Sequence, residues 1–446
     1  MIASILNQPE ALELLIFLAI MGACFIYPAS RGGASVGLPL CYIVSLGMIH
    51  WLGALIHYAP FPWRSRPDPF TLVGFQEVFW ASLAFAVGTF AIAPFILRVL
   101  MNHETGAMRP TLSSQHLRLP YIYIGLGVLF FGVLAPALRS LPSIYAASVS
   151  GIYLAVVGLC LACYSDYCKG NRLQLVVSLG AVCLIPLITI VTIGFAGYGT
   201  GATLLVLTFV ATFYRPRWHV LLAYGLLGFL GLSLFVTYFR DRPQIRAKVW
   251  GGADYSDRIE TLYTSLSNFE LLDLQNPRHL SSIDARLNQN YLIGRAVRTI
   301  ELGQEEYAYG GTIYEGLLAL IPRILWPEKH VWAGSWGIVS KYARMSFDPS
   351  TSVGVGQVME FYINFGTIGV IAGFLVLSTL IRILDAVAAA HLLAGNWKEF
   401  MSWFLPAMSL LMVGGSFVDL FGTAAASAVL VAMVNRILTA AHYSNV

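Results

Sequence analysis

Long apolar runs alternate with short polar breaks through the first half of the chain, give way to one long polar stretch, and return near the end. The runs fall at 11–28, 36–56, 76–99, 119–138, 143–163, 173–193, 198–214, 219–238, 361–381, 400–417 and 420–440. Most approach the ~20 residues that a helix needs, at about 1.5 Å of rise each, to cross a hydrocarbon layer about 30 Å thick. They lack the two-residue alternation of barrel strands. The pattern predicts an all-α polytopic membrane protein of about eleven transmembrane helices. Helices 1–8 form a membrane domain over 1–238, a large helical extracytoplasmic loop fills 239–360, and helices 9–11 follow over 361–446.

Within that loop, Ile259, Leu262, Tyr263, Leu266 and Phe269 recur at helical spacing, as do Leu287, Tyr291, Val297 and Ile300, so two amphipathic helices are expected. The apolar segment from Ile313 to Trp326 is too short to span and ends in a Pro-flanked turn, which suits a re-entrant or interfacial element over 313–327. No fixed-period repeat or low-complexity linker interrupts the chain.

Composition agrees. With 57% hydrophobic and 11% charged residues and a mean hydropathy of +0.70, the chain carries more apolar surface than a soluble globule could bury, and the surplus must face lipid. A net charge of +4 gives no broad basic field, so no nucleic-acid partner is expected. Placement of the charges says more than their sum. Arg31, then Arg98, Arg109 and Arg118, then Lys169 and Arg172, then Arg215 and Arg217, then Arg382 and Lys398, then Arg436 fall on one side, which the positive-inside rule makes the cytoplasm. The N-terminus is then outside and the C-terminus inside, with Arg64, Arg66 and Arg139 as exceptions in external loops. The N-terminus has no positive n-region, so the first helix is expected to be retained. The stretch 239–360 holds 13 of the 27 Lys and Arg residues with a similar number of carboxylates, the balance of a folded cap.

Candidate chemistry follows from what that cap holds. Arg240, Arg242 and Arg246 stand where the eighth helix emerges, Arg286, Arg295 and Arg298 stand mid-cap, and Arg323 with Lys329 stand around the re-entrant turn. Guanidinium groups pair bidentately with phosphate and stay charged at any working pH, so a lipid-linked phosphate would be held at this depth. Arg295 and Arg298 share a helix face and either grip one anion or pair with Glu301 and Glu305. Arg240 and Arg242 are equally placed to snorkel to headgroups. Glu315, Glu328 and Glu360 lie near the same mouth, and Glu360 reads either as a desolvated general base or as a helix-start carboxylate favoured by the dipole. His57, His279 and His330 lack a metal-ligand spacing, and no nucleotide-binding or nucleophile motif occurs. Cys160, Cys163 and Cys168 read better as small residues at a helix interface than as a metal or redox cluster. Gly197-Tyr198-Gly199-Thr200-Gly201 reads as a tight helix hairpin with close packing. Ionisable residues deep inside the helices are nearly absent, which argues against an ion-coupled transporter.

Ala319-Leu320-Ile321-Pro322-Arg323-Ile324-Leu325-Trp326-Pro327-Glu328-Lys329, followed by Gln357-Val358-Met359-Glu360-Phe361-Tyr362-Ile363-Asn364-Phe365-Gly366-Thr367-Ile368-Gly369, resembles the Wzy-type oligosaccharide repeat-unit polymerases, the O-antigen polymerase group. Tyr238-Phe239-Arg240 and Arg286-Leu287 are similar to the family as well, and the whole chain agrees with its GT-C-like polymerase/ligase architecture. One element departs: members often carry an arginine in the hairpin where this chain has Gly197–Gly201, so another cap arginine has to replace it. His330 stands where such proteins usually have proline, either incidentally or as a base.

The resemblance implies a bacterial inner-membrane glycosyltransferase without metal or cofactor. It would move a growing glycan from undecaprenyl pyrophosphate onto a fresh lipid-linked repeat unit, among membrane lipid and with a chain-length regulator as partner. It gives Arg240, Arg286 and Arg323 the leaving-group role with Lys329 assisting, Glu360 the base role with Glu315 its rival, and Arg295, Arg298 and Tyr362 substrate contacts. Two alternatives compete. An O-antigen ligase would carry a cap histidine shortly before the glycine pair of the following helix, and Gly354 to Phe365 contains none. A lipid-linked oligosaccharide transporter would carry its polarity along a central cavity.

Overall fold

The computed structural model describes residues 9–30, 34–58, 68–100, 118–138, 142–214, 218–322, 325–326, 328–329, 335–346 and 353–443. Among these residues the chain is helical and has no strand. In order, the main helices are α1 Pro9–Ser30, α2 Leu38–Tyr58, α3 Pro69–Val99, α4 Leu119–Leu134, α5 Ile144–Cys168, α6 Arg172–Ile193, α7 Ala196–Phe213 and α8 Trp218–Trp250. Then come α9 Tyr255–Ser267, α10 Pro277–Leu287, α11 Asn290–Glu301, α12 Gly311–Ala319, α13 Trp336–Ala343, α14 Gln357–Leu393, α15 Trp397–Ala407 and α16 Phe417–Tyr443.

Among the described residues seven helices, α2, α3, α5, α6, α7, α14 and most of α16, are long and apolar enough to cross a membrane. The chain is a polytopic helical membrane protein. Start and stop signals are local. Asp68 accepts the Thr71 N–H at 2.8 Å just before Pro69 and begins α3 some seven residues ahead of the expected start. Gly194, at φ +77°, ends α6. That glycine and Phe195 make the hairpin, whereas Gly197–Gly201 lies within the first turns of α7. There Gly199 lets α7 approach Pro186 and Thr189, where a Cβ would sit 2.5 Å from Pro186 Cα. α8 does not stop at Tyr238 but runs on to Trp250, with Tyr238, Ile245 and Val249 buried against Ile190 and half-buried Leu262.

The two expected amphipathic helices are α9 and α11, and α11 is drawn into the bundle. Its Ile293, Ala296, Val297 and Ile300 belong to the same core as residues of α2, α3, α5 and α14. α11 crosses α3 backbone to backbone: a Cβ on Gly294 would lie 1.9 Å from Phe70 O, and one on Gly74 would lie 1.9 Å from Asn290 O. Asn290 fixes the start of α11, its Oδ1 pairing with His50 Nδ1 at 2.8 Å while its Nδ2 donates to His50 O at 2.8 Å. α12 rests on α16, with Gly316 facing Phe417.

Candidate functional site

Where α8 continues past Tyr238 it carries arginines on two faces. At about 100° per residue, Arg242 and Arg246 lie roughly 160° and 120° round the helix from Arg240, so these cations do not form one group. The guanidinium of Arg242 and that of Arg286, in the last turn of α10, each sit 5.6 Å from the Phe239 ring centre. Arg246 stacks on Phe195 and Trp250 at 4.3 and 4.8 Å, and its Nε donates to Gly194 O at 3.3 Å. None of the three makes an ion pair among the described residues. Burial, then the charges of Arg286 and Arg246, pushes Arg242 down to about 10, and burial followed by Arg246 lowers Arg286. All three are cationic at neutral pH and crowd one another, so an incoming anion would relieve repulsion.

Arg240 is instead spent within the protein. It forks onto Asp241 at 2.7 and 2.9 Å, pairs with Glu270, and donates to Asn268 O at 2.9 Å. Glu270 also pairs with His279 Nε2 at 2.9 Å, while His279 Nδ1 accepts the Asp273 N–H at 3.1 Å, which leaves the ring proton on Nε2. His279 and then Arg240 hold Glu270 below the usual carboxylate range, and Arg240 does the same for Asp241. A depressed carboxylate stabilises the fold above its ordinary range, and that contribution disappears as pH falls through the lower folded value. With the two side chains 33% and 43% exposed, the Arg240–Glu270 pair is worth less than about 1 kcal/mol. Protection factors for amide exchange across 268–273 are expected to fall slightly on acidification through the range below that of an ordinary carboxylate, and Glu270→Gln should show the lower protection at neutral pH already; equal protection in both proteins at pH 7 would remove this tie.

The second centre forms where two loops cross. Gly356 N–H donates to Gly414 O at 3.2 Å and Gln357 N–H to Val413 O at 3.0 Å. Side chains are excluded there, since a Cβ on Gly354 would stand 2.1 Å from Gly414 O. This crossing sets Glu360, fully buried, against the start of α16, where Oε2 accepts the Phe417 N–H at 2.8 Å. Oε1 is buried with no hydrogen bond among the described residues. Glu315 and Asp419 are the charged groups close enough to act on it. One turn on, Asn364 accepts the Gly310 N–H at 2.8 Å and donates to Thr312 Oγ1 at 2.8 Å and to Glu360 O at 2.7 Å, tying the start of α12 to α14. α14 then breaks at Phe365 and Gly366, the latter at φ +63°, which glycine adopts without strain. The Glu-Phe-Tyr-x-Asn-Phe-Gly run therefore does three structural things at once.

Other expected site residues are placed apart. Arg295 donates to Ala343 O at 2.6 Å and Arg344 O at 3.2 Å, closing the end of α13, while Arg298 pairs with Glu301 at 3.8 Å. They do not converge on one point, and Glu305 is taken by Lys341 and Arg344. Lys329 is buried and donates to Leu318 O at 3.1 Å and Ile321 O at 2.5 Å, satisfying carbonyls at the end of α12. Tyr362 is buried beside Tyr307, their ring centres 6.5 Å apart. Arg323 and His330 lie outside the described residues. Cys160 and Cys163 are buried in the helix core, and no cluster fit for a metal occurs among the described residues.

The helices also hold more buried charge than their hydropathy suggests. Glu77 of α3 accepts the Thr367 hydroxyl at 2.8 Å, and its Oε2 is buried with no hydrogen bond among the described residues. Arg382 pairs with Asp385 at 2.5 Å, and Asp385 Oδ1 takes the N–H groups of Val36 and Leu38 at 3.0 and 3.1 Å, a cap for α2. Single acids in apolar runs gave the only signal for them. Comparison with protein-family profiles, with curated proteins and with solved structures finds no match to this chain.

Proposed function

We propose that the chain is a polysaccharide polymerase, moving a growing glycan from undecaprenyl pyrophosphate to a new lipid-linked repeat unit at the outer face of the bacterial inner membrane. The observation that carries this reading is the pair Arg242 and Arg286 over the Phe239 ring with Arg246 beside them over Phe195 and Trp250, three cations with no ion-pair partner among the described residues. In this reading eleven helices span, 239–360 lies outside, and the N- and C-termini face outside and cytoplasm. The acceptor hydroxyl attacks the anomeric carbon of the donor, the bond from that carbon to the diphosphate oxygen breaks, and the electron pair leaves with the diphosphate. The three guanidinium groups stabilise the charge that builds there, and Glu360 takes the hydroxyl proton. Arg246, seated on the Gly194–Phe195 hairpin, stands in for the arginine that the family carries in its own hairpin. Arg240 drops out of the leaving-group role because Asp241 and Glu270 already neutralise it.

Glu77 favours a second reading, a transporter of lipid-linked sugar, because a buried carboxylate with an unbonded oxygen in a membrane helix is the kind of group such proteins use. The glycan ladder of cells lacking the chain decides. Polymerase predicts collapse to a single repeat unit, rescue by wild type, and rates about 10² to 10³ lower with Arg242→Ala or Arg286→Ala at normal protein level. Loss of all external lipid-linked glycan would point to the transporter, and a full-length ladder left unattached would point to a ligase.

A further inference from the structure

A cleft of about 860 Å³ opens between the emerging part of α8 and α9, on the face that carries Arg240 rather than Arg242. Its size is that of a ligand pocket, about 300 to 1,000 Å³. The walls are polar, and on the α9 side their hydrogen-bonding sense leans to acceptors. Thr261 and Thr264 spend their hydroxyl protons on Asp257 O at 2.7 Å and Glu260 O at 3.0 Å, and Asn268 Nδ2 donates to Thr264 O at 3.0 Å. Arg240 spends its guanidinium on Asp241, Glu270 and Asn268 O. What these groups still offer is acceptors: the hydroxyl lone pairs, Asn268 Oδ1 and the carboxylates of Asp257 and Glu260, which make no ion pair among the described residues. Gln244 and Lys248 add donors on the opposite wall, and the Ser265 hydroxyl is directed at Asp241. Phe269, 39% exposed, supplies an aromatic face at the edge of this polar lining.

An acceptor-rich wall beside an aromatic face suits a ligand rich in donors and bounded by C–H surfaces, which is the chemistry of a sugar ring. A phosphate fits badly, since it would meet Asp257 and Glu260. We infer that this cleft is a saccharide-binding site, separate from the anion-binding face of α8, and that it takes neutral or amino sugars in preference to acidic ones. It rests on the proposed function only for the source of the glycan.

The test uses full-length protein in lipid nanodiscs. The probe is repeat-unit oligosaccharide released by mild acid from the producing cell's lipid-linked glycans, so that it carries neither lipid nor diphosphate. Saturable binding by calorimetry is expected for wild type and for Arg242→Ala. Glu260→Gln and Phe269→Ala, both at exposed positions where the fold is not at stake, should bind roughly tenfold more weakly or worse. Absence of saturable binding by wild type, or wild-type affinity in both cleft variants, overturns the inference. Binding that follows these variants while deletion of the chain leaves the glycan ladder intact would sink the polymerase reading and leave the cleft standing.

Discussion

If the chain is the proposed polymerase with Glu360 as its base, Glu360→Gln is expected to leave the protein folded and abundant while polymerisation falls by about 10² to 10⁴, the usual worth of a general base. The substitution keeps the side chain's volume, and the amide oxygen can still accept the Phe417 N–H that Oε2 takes at 2.8 Å. What is lost is the capacity to receive a proton on Oε1, which makes no hydrogen bond among the described residues. Burial keeps bulk water from standing in as the base. The measurement is the initial rate of glycan extension in vesicles holding equal amounts of folded protein. Glu315→Gln serves as the comparison, because Glu315 lies near Glu360 yet is only half-buried. A Glu360→Gln protein that extends glycan at more than a tenth of the wild-type rate, with Glu315→Gln the slower, would transfer the base role to Glu315.

On the proposed function and the proposed saccharide cleft, the two faces of α8 would keep an anionic and a neutral ligand apart. A lipid diphosphate needs uncompensated cations, which Arg242, Arg246 and Arg286 would supply. A glycan needs hydrogen-bonding groups without net positive charge, which the Arg240 side, neutralised by Asp241 and Glu270, would provide. Arg240 on one side and Arg242 and Arg246 on the other grow from one continuous helix, so the spacing between these three is fixed by helix geometry rather than by a flexible loop.

Much of this was within reach of the sequence. Apolar runs marked the helices because lipid exposure demands them, and Asp68-Pro69 marked the true start of α3. The continuation of α8 was written in Tyr238, Ile245 and Val249, which keep helical period beyond the apolar run. The opposition of Arg240 and Arg242 follows from a two-residue step. Glu360 stood out as a carboxylate at a helix start, but its partner, Phe417 N–H, is 57 residues away and no local pattern announces it. The carbonyls that take up Arg295 and Lys329 are equally silent, since every residue has one. The arginines without an ion-pair partner among the described residues could be separated from the paired ones only once the neighbours were in place.

The burial of α11 was hidden for the same reason, and it sets the largest stability effect. Leu287, Tyr291, Val297 and Ile300 predicted an amphipathic helix, of which Leu287 ends α10 and the rest lie on α11, and the pattern alone does not say what covers the apolar face. The glycines decide it: Gly294 and Gly74, some 220 residues apart, allow α11 and α3 to touch through their backbones, with a Cβ at either meeting a carbonyl oxygen at 1.9 Å. No real Cβ tolerates that distance, and the obstacle is backbone on both sides, so relief requires the helices to separate. Separation would strip Ile293, Ala296, Val297 and Ile300 from the core and pull Asn290 from His50. Gly294→Leu is therefore expected to cost about 3 kcal/mol or more and to leave little folded protein in detergent extracts. Gly197→Ala, in the first turn of α7 with nothing within 4 Å of the added Cβ, should be neutral or stabilise by up to about 1 kcal/mol. Thermal unfolding followed by size-exclusion chromatography compares the two, and a Gly294→Leu protein that melts with wild type would mean that the close crossing of α11 and α3 does not hold the fold together.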